Sequence, residues 1–125
     1  MKSNVLITGG LGYIGSHLYI SLINEGYNPI IVDDLSNSSK NILENLKRIT
    51  NLNKINFYYN KIQDTKSIKE IIINNKIESV FHLAGFKSIE ESNIFPYKYY
   101  NNNINSTLSL LDAMSKTDCN KIIFS

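Results

Sequence analysis

Apolar and polar positions alternate along the chain in two distinct patterns. Short runs of apolar and β-branched residues, such as those at 5–7 and 30–32, are bounded by polar or glycine-containing segments, which is typical of buried strands. Between them lie longer stretches with apolar residues three or four positions apart, as in segment 41–50, which predict amphipathic helices. Strands and helices therefore alternate, and the pattern predicts a parallel sheet with helices packed on both faces.

The bounds of these elements follow from the ends of each pattern. The predicted strands are Asn4–Thr8, Ile30–Asp33, Ile55–Tyr59, Ser79–Leu83 and Lys121–Phe124. The predicted helices are Gly12–Glu25, Asn41–Thr50, a segment capped by Asp64 and ending at Asn74, and Tyr97–Met114, with a loop after the fourth strand through Phe95-Pro96. Right-handed crossovers give the strand order 3-2-1-4-5 of a doubly wound α/β sheet.

The junction between the first strand and the first helix contains glycine at every third position: Gly9, Gly12 and Gly15. Gly9 permits a tight turn, Gly12 permits close approach of a pyrophosphate, and Gly15 permits close packing of the helix. Free N–H groups at the helix start then face the phosphates. An ordinary glycine-rich turn is the alternative, but the preceding strand, the following helix and an acidic residue downstream favour a Rossmann-like dinucleotide site.

The acidic residue is Asp33, which closes the second apolar run. In a dinucleotide-binding unit, a carboxylate at this position accepts hydrogen bonds from the adenosine ribose and repels a 2′-phosphate. The chain has one arginine, Arg48, and none follows Asp33 locally, so the sequence predicts NAD rather than NADP. The alternative is that Asp33 and Asp34 merely begin a polar loop.

Composition excludes several other classes of protein. The 125 residues suit one domain, 42% of them are hydrophobic, and no apolar run approaches the ~20 residues needed to cross a bilayer. We expect no signal peptide, and a lone Cys119 suits a reducing compartment, so we expect a cytoplasmic protein. A net charge of +2 does not indicate a nucleic-acid partner. Two distant histidines and one cysteine indicate no metal site, and we expect His82 to be buried and hydrogen-bonded.

Several segments together resemble the extended short-chain dehydrogenase/reductase family, and within it the UDP-glucose 4-epimerase group. They are Thr8–His17, Asp33–Ser38, Phe81–Lys87, Glu91-Ser92, Pro96, Tyr99–Asn105 and Lys121–Ser125. The resemblance covers essentially the whole chain and corresponds to the first third of such an enzyme. It implies that residues 1–125 form an NAD-binding Rossmann domain that is incomplete after strand 5.

The resemblance also implies positions that contact NAD. Lys87 would approach the nicotinamide side, although a surface lysine is the alternative, and Asn102 would hydrogen-bond the cofactor unless it reflects the Asn-rich composition. Lys61 stands where the family has an acidic residue near the adenine, while Ile62 retains the apolar contact. The complete set implied as cofactor-binding is Gly9, Gly12, Tyr13, Ile14, Gly15, Asp33, Asp34, Leu35, Asn37, Ser38, Ile62, Leu83, Ala84, Gly85, Lys87, Asn102 and Ser125.

The activity implied by the resemblance is inversion of the 4-hydroxyl of a UDP-hexose through a 4-keto intermediate. The family base is the tyrosine of a Tyr-x-x-x-Lys pair, and none of the eight tyrosines here has lysine four positions later. We therefore expect no catalytic residue in this chain and no activity from the chain alone. The alternatives are a non-catalytic dinucleotide-binding module, and a sugar-nucleotide dehydratase or decarboxylase, against which Gly85 and Lys87 argue. A bare edge on strand 5 also predicts that the isolated chain is poorly soluble or forms a homodimer.

Overall fold

The computed structural model describes residues 2–125. Its five strands form one parallel sheet in the order β3-β2-β1-β4-β5, which confirms the predicted topology. The strands are β1 (Asn4–Thr8), β2 (Asn28–Asp33), β3 (Phe57–Tyr59), β4 (Ser79–His82) and β5 (Ile122–Phe124). The helices are α1 (Tyr13–Asn24), α2 (Asn41–Thr50), α3 (Thr65–Asn74), α4 (Ile89–Ile94) and α5 (Pro96–Ser115).

Alternate residues of the central strands divide the core into two layers. Leu6, Ile30 and Val32 belong to one cluster of buried side chains, with residues of α3 and α5. Val5 and Ile31 belong to the other, with residues of α1 and α2. Side chains in a strand point alternately to opposite faces, so each face of the sheet is covered by one helical layer.

The helix ends follow local chemistry that the sequence carries. Gly26 lies just beyond α1 with a φ of 86°, a left-handed conformation suited to glycine after a helix. The Asp64 side chain accepts a hydrogen bond from the Ser67 N–H at 3.2 Å and caps α3, as predicted. The hydrogen bond that the Ser67 hydroxyl donates to Asp64, and secondarily the one from the Ser67 N–H, hold the pKa of Asp64 below its ordinary value.

The prediction of a loop from the end of β4 through Phe95-Pro96 is wrong in part, because this stretch contains the six-residue helix α4. The Ser88 side chain caps this helix by accepting a hydrogen bond from the Glu91 N–H at 3.1 Å. Lys98 and Tyr99 donate to the Glu91 carboxylate and hold its pKa below the ordinary value. These contacts tie α4 to the start of α5, beside the carboxyl end of β4.

Candidate functional site

The glycine turn between β1 and α1 packs against the end of β4. Gly9 has a φ of 67° and its N–H donates to the Val32 carbonyl at 2.8 Å. A Cβ at Gly9 would lie 2.9 Å from the backbone of Ala84, and a Cβ at Gly15 would lie 2.5 Å from the Gly9 carbonyl oxygen. The turn conformation expected of Gly9 and the close packing expected of Gly15 are both present.

The first turn of α1 presents backbone N–H groups beside this turn. Hydrogen bonding within the helix begins with the Ser16 N–H, which donates to the Gly12 carbonyl at 3.0 Å, so the amides of residues 13–15 have no intrahelical acceptor. This turn carries no acidic side chain, and the helix dipole adds positive potential. Tyr13 and Ile14 project outward, with exposed fractions of 82% and 61%. The arrangement suits an anion such as a pyrophosphate.

Asp33 ends β2 with its carboxylate held by three donors of the chain. Its Oδ2 accepts from the Leu11 N–H at 3.1 Å, and its Oδ1 accepts from the Leu35 N–H at 2.8 Å and the Ser38 hydroxyl at 2.9 Å. The residue is 8% exposed. A carboxylate offers about four acceptor positions, so Oδ2 retains capacity for one more donor, such as a ribose hydroxyl.

The segment after β4 forms the opposite side of the site. Gly85 has a φ of 146°, which favours glycine. The Lys87 ammonium donates to the Ser125 carbonyl at 2.9 Å and links this segment to the residue that follows β5. Lys87 and Ser125, both of which the family resemblance places near NAD, therefore lie together, and both line the cavity described below.

His82 is buried in β4 and joined to residues on either side. Thr8 Oγ1 accepts from the Leu83 and Ala84 N–H groups at 3.1 and 3.2 Å, so its own proton points to His82 Nδ1 at 2.7 Å. Nδ1 therefore accepts this hydrogen bond. The single N–H proton of the neutral ring lies on His82 Nε2, which donates to Thr107 Oγ1 at 2.9 Å. The expectation of a buried, hydrogen-bonded histidine is confirmed.

Its surroundings keep this imidazole neutral. Burial, and secondarily the positive charge of Lys87, lower the pKa of His82 from 6.5 to about 4. A second proton, on Nδ1, would also face a threonine oxygen whose acceptor positions are filled. His82 therefore organises the strand ends rather than exchanging protons near neutral pH.

These features surround one open cavity of about 690 Å³ at the carboxyl ends of the strands. Every residue predicted as cofactor-binding, except Leu35, lines it: Gly9, Gly12, Tyr13, Ile14, Gly15, Asp33, Asp34, Asn37, Ser38, Ile62, Leu83, Ala84, Gly85, Lys87, Asn102 and Ser125. A cavity at this edge of a doubly wound sheet, near the point where strand order reverses, is the usual ligand site of such folds.

Leu35 lies elsewhere because its backbone turns left-handed, with a φ of 61°. Its side chain packs against the core beneath α1 and α2, while its N–H supports Asp33. Leu35 therefore supports the Asp33 carboxylate through its backbone N–H. Its side chain does not line the cavity, although the resemblance places the residue among the cofactor contacts.

Sequence reasoning missed six residues that also line the cavity. They are Val32, Ser36, Asn60, Gln63, Phe86 and Ser106. Most adjoin predicted residues, so neighbourhood in sequence was the available signal. Lys61 is exposed and does not line the cavity, while the adjoining Ile62 does.

Other kinds of site find no support in the part of the chain that the structure describes. Among residues 2–125, no three histidine, cysteine or acidic side chains are grouped in a way that could hold a metal ion. Within the same range, no helix has the length and apolar character required to span a bilayer.

Comparison with known proteins gives a consistent result. The family model described as GDP-mannose 4,6 dehydratase matches residues 6–125. A UDP-glucose 4-epimerase of Dictyostelium discoideum is 48% identical over 127 residues, covering 100% of this chain and 36% of the relative. One of Bacillus subtilis is 43% identical, covering 97% of this chain and 35% of the relative. The chain thus spans about a third of the length of these relatives.

Solved structures show the same correspondence in three dimensions. A UDP-glucose 4-epimerase of Bifidobacterium longum in complex with NAD⁺ and UDP has a TM-score of 0.93 and 41% identity, over 98% of this chain and 36% of that one. The enzyme of Stenotrophomonas maltophila, with NAD and formylated UDP-arabinopyranose bound, has a TM-score of 0.94 and 36% identity, with the same coverage. The resemblance to the N-terminal third of UDP-glucose 4-epimerases is confirmed, and the chain belongs to the GDP-mannose 4,6-dehydratase family.

Proposed function

We propose that residues 1–125 form the NAD-binding part of a UDP-hexose 4-epimerase. The observation that carries the proposal is the cavity at the strand ends, which joins the glycine turn, the carboxylate of Asp33 and the segment carrying Lys87. The similarity to epimerases whose structures contain NAD supports the same cofactor here. UDP-glucose and UDP-galactose are the proposed substrates, which places the enzyme in galactose metabolism.

The residues present fit NAD in three places. The amides at the start of α1 suit the pyrophosphate, since they lack intrahelical acceptors and the first turn of α1 carries no acidic side chain. The remaining acceptor position of Asp33 suits a ribose hydroxyl and opposes a 2′-phosphate. Lys87 and the backbone of residues 83–86 suit the nicotinamide half, on the far side of β1.

NAD, held by the residues that line the cavity, would supply reversible hydride exchange at C4 of the sugar. The described residues bind and orient the cofactor, and Lys87 adds positive charge near the nicotinamide half. The 125 residues contain no Tyr-x-x-x-Lys pair, so the proposal assigns proton transfer to residues outside them.

A non-catalytic dinucleotide-binding module is the second candidate, and the glycine turn and the carboxylate of Asp33 are consistent with it. A dehydratase or decarboxylase on the same scaffold is the third, and the family model's description is consistent with it. The segment containing Gly85 and Lys87 favours the epimerase over this third candidate.

Two experiments test the proposal. Calorimetry on the chain should give binding of NAD⁺ at least about tenfold tighter than NADP⁺, because Asp33 repels the added phosphate. A chimaera, in which this chain replaces the matching third of the Dictyostelium discoideum relative, should convert UDP-galactose to UDP-glucose. Binding without chimaera activity would favour the module, and absence of nucleotide binding would refute both candidates.

We also propose that two copies pair through α5. Its exposed side chains Tyr97, Tyr100, Ile104, Leu108 and Leu111 follow one face at intervals of three, four, four and three residues. This spacing is the same in both directions, so an antiparallel two-fold pair would match each side chain with an apolar partner, with Ile104 at the axis. The buried lone Cys119 is consistent with a reducing, cytoplasmic setting for this dimer.

Analytical ultracentrifugation tests the pairing. The chain should sediment as a dimer, and Ile104→Glu should yield monomers because it places two like charges at the axis. Asn105→Glu is the matched control, since it adds the same charge to an exposed neighbouring position. A monomeric unchanged chain, or equal behaviour of the two variants, would refute the pairing.

A further inference from the structure

The side chain of Asn103 holds the backbone of Phe86 by two hydrogen bonds. The Phe86 N–H donates to Asn103 Oδ1 at 2.9 Å, and Asn103 Nδ2 donates to the Phe86 carbonyl at 3.0 Å. The pair fixes the orientation of the amide, because only the oxygen can face the N–H and only the nitrogen can face the carbonyl. We call this contact the Asn103 clamp.

The clamp acts on the part of the chain that lines the cavity, although Asn103 itself does not line it. Gly85, Phe86 and Lys87 are lining residues. A Cβ at Gly85 would lie 3.2 Å from Asn103 Oδ1, so the approach between segment and helix is close. Any effect of Asn103 on a ligand therefore passes through the segment 85–87.

Asn103 is itself held to β4. Its carbonyl accepts from the Thr107 hydroxyl at 3.0 Å, and Thr107 Oγ1 accepts from His82 Nε2. At the other end of the same segment, Thr8 Oγ1 accepts the N–H groups of Leu83 and Ala84. The segment after β4 is thus fixed at both ends by polar contacts that lead back to His82.

The strand order separates this segment from the adenosine side. Asp33 follows β2 and the segment follows β4, and β1 lies between them. A dinucleotide across the switch point therefore meets Asp33 with one half and residues 85–87 with the other. A change at the clamp should weaken contacts to one half only.

We propose that Asn103 is a positioning residue that fixes the segment 85–87 for the nicotinamide half of NAD. The proposal deepens the proposed function and rests on it. By holding this segment, Asn103 would raise the affinity of the site for NAD relative to its affinity for ADP, which lacks the nicotinamide half. Asn102, which the family resemblance singles out, lines the cavity and donates to Asn103 Oδ1 at 3.0 Å, so it supports the same clamp.

The variant Asn103→Asp tests the clamp with almost no change in volume. It removes the Nδ2 donor and sets a carboxylate oxygen against the Phe86 carbonyl. Asn101→Asp is the matched control: it adds the same charge to α5, and its oxygen can still accept from Asn105 Nδ2, a bond of 2.7 Å in the unchanged chain. Asn101 is exposed and does not line the cavity.

Calorimetry with NAD⁺ and with ADP separates positioning from general stability. In Asn103→Asp the affinity for NAD⁺ should fall about tenfold, whereas the affinity for ADP should change less than about twofold, because ADP does not reach residues 85–87. The control should alter neither. Equal losses for both ligands, or no loss for NAD⁺, would overturn the proposal.

Hydrogen exchange in the ligand-free chain gives a second test that does not depend on nucleotide. Amides of residues 84–88 should exchange faster in Asn103→Asp than in the control, with the sheet unchanged. Unchanged exchange there would overturn the clamp while leaving the proposed function standing. Absence of both NAD⁺ and ADP binding by the unchanged chain would instead overturn the proposed function, and with it the role assigned to Asn103.

Discussion

Acid should destabilise this fold through His82 before most carboxylates are protonated. The pKa of His82 is about 4 in the folded chain, against 6.5 ordinarily, so the unfolded chain binds the extra proton between these values. Stability contributed by the neutral imidazole is complete above about pH 6.5 and is lost as pH falls. The loss works out to about 2 kcal/mol by pH 5 and about 3 kcal/mol by pH 4.

The assay is urea unfolding from pH 7 to pH 4 of the unchanged chain and of His82→Gln. Glutamine can accept from Thr8 and donate to Thr107 without titrating. Subtracting the two free energies of unfolding at each pH removes contributions from groups common to both, including Asp64 and Glu91, whose lowered pKa values matter at lower pH. Relative to His82→Gln, the unchanged chain should lose about 2 kcal/mol of its free energy of unfolding between pH 7 and pH 5.

A difference that stays constant over this range would refute the reasoning. Nitrogen-15 spectra of the imidazole provide an independent check, because they distinguish the two neutral tautomers. They should show the proton on Nε2 of His82 at pH 7, as the hydrogen-bond directions require. Assignment of the second histidine follows from His17→Gln. A proton on Nδ1, or protonation of His82 above pH 6, would contradict the structure.

Three further changes test the turn, a helix cap and the core. Gly15→Ala should cost more than about 2 kcal/mol in urea unfolding, because its Cβ meets backbone at 2.5 Å, whereas Gly12→Ala, at 3.3 Å, should cost less than about 1 kcal/mol; equal costs would contradict the packing. Asp64→Ala should lower the urea midpoint, and Asp64→Asn should keep most of the original midpoint. An unchanged midpoint in Asp64→Ala would contradict the role of the cap. Burial raises the pKa of the Cys119 thiol, so a disulfide reagent should modify the folded chain far more slowly than the unfolded one, and equal rates would contradict burial.

Local patterns in the sequence were sufficient for the strand order and the glycine turn. A left-handed φ and contacts too close for a Cβ demand glycine at fixed positions, so Gly9 and Gly15 carry their geometry in their identity. Alternating apolar residues likewise fix which side of β1 and β2 faces each helical layer.

Contacts between distant residues were not predictable in the same way. The Asn103 clamp and the partners of His82 join residues 17, 25 and 74 positions apart, and nothing in their identities specifies which polar group each will meet. Helix α4 is a different kind of omission, since the Ser88–Glu91 spacing is a capping signal present in the sequence.

The three donors around Asp33 mean that this carboxylate is organised before any ligand arrives. Leu11, Leu35 and Ser38 hold both oxygens, so the side chain has already lost its rotational freedom on folding. A ribose that binds there need not order it, and this entropy is not subtracted from the binding free energy. In the proposed NAD site the Asp33 carboxylate is therefore a pre-ordered acceptor, so the affinity for a ribose depends on the contacts formed and not on ordering this side chain.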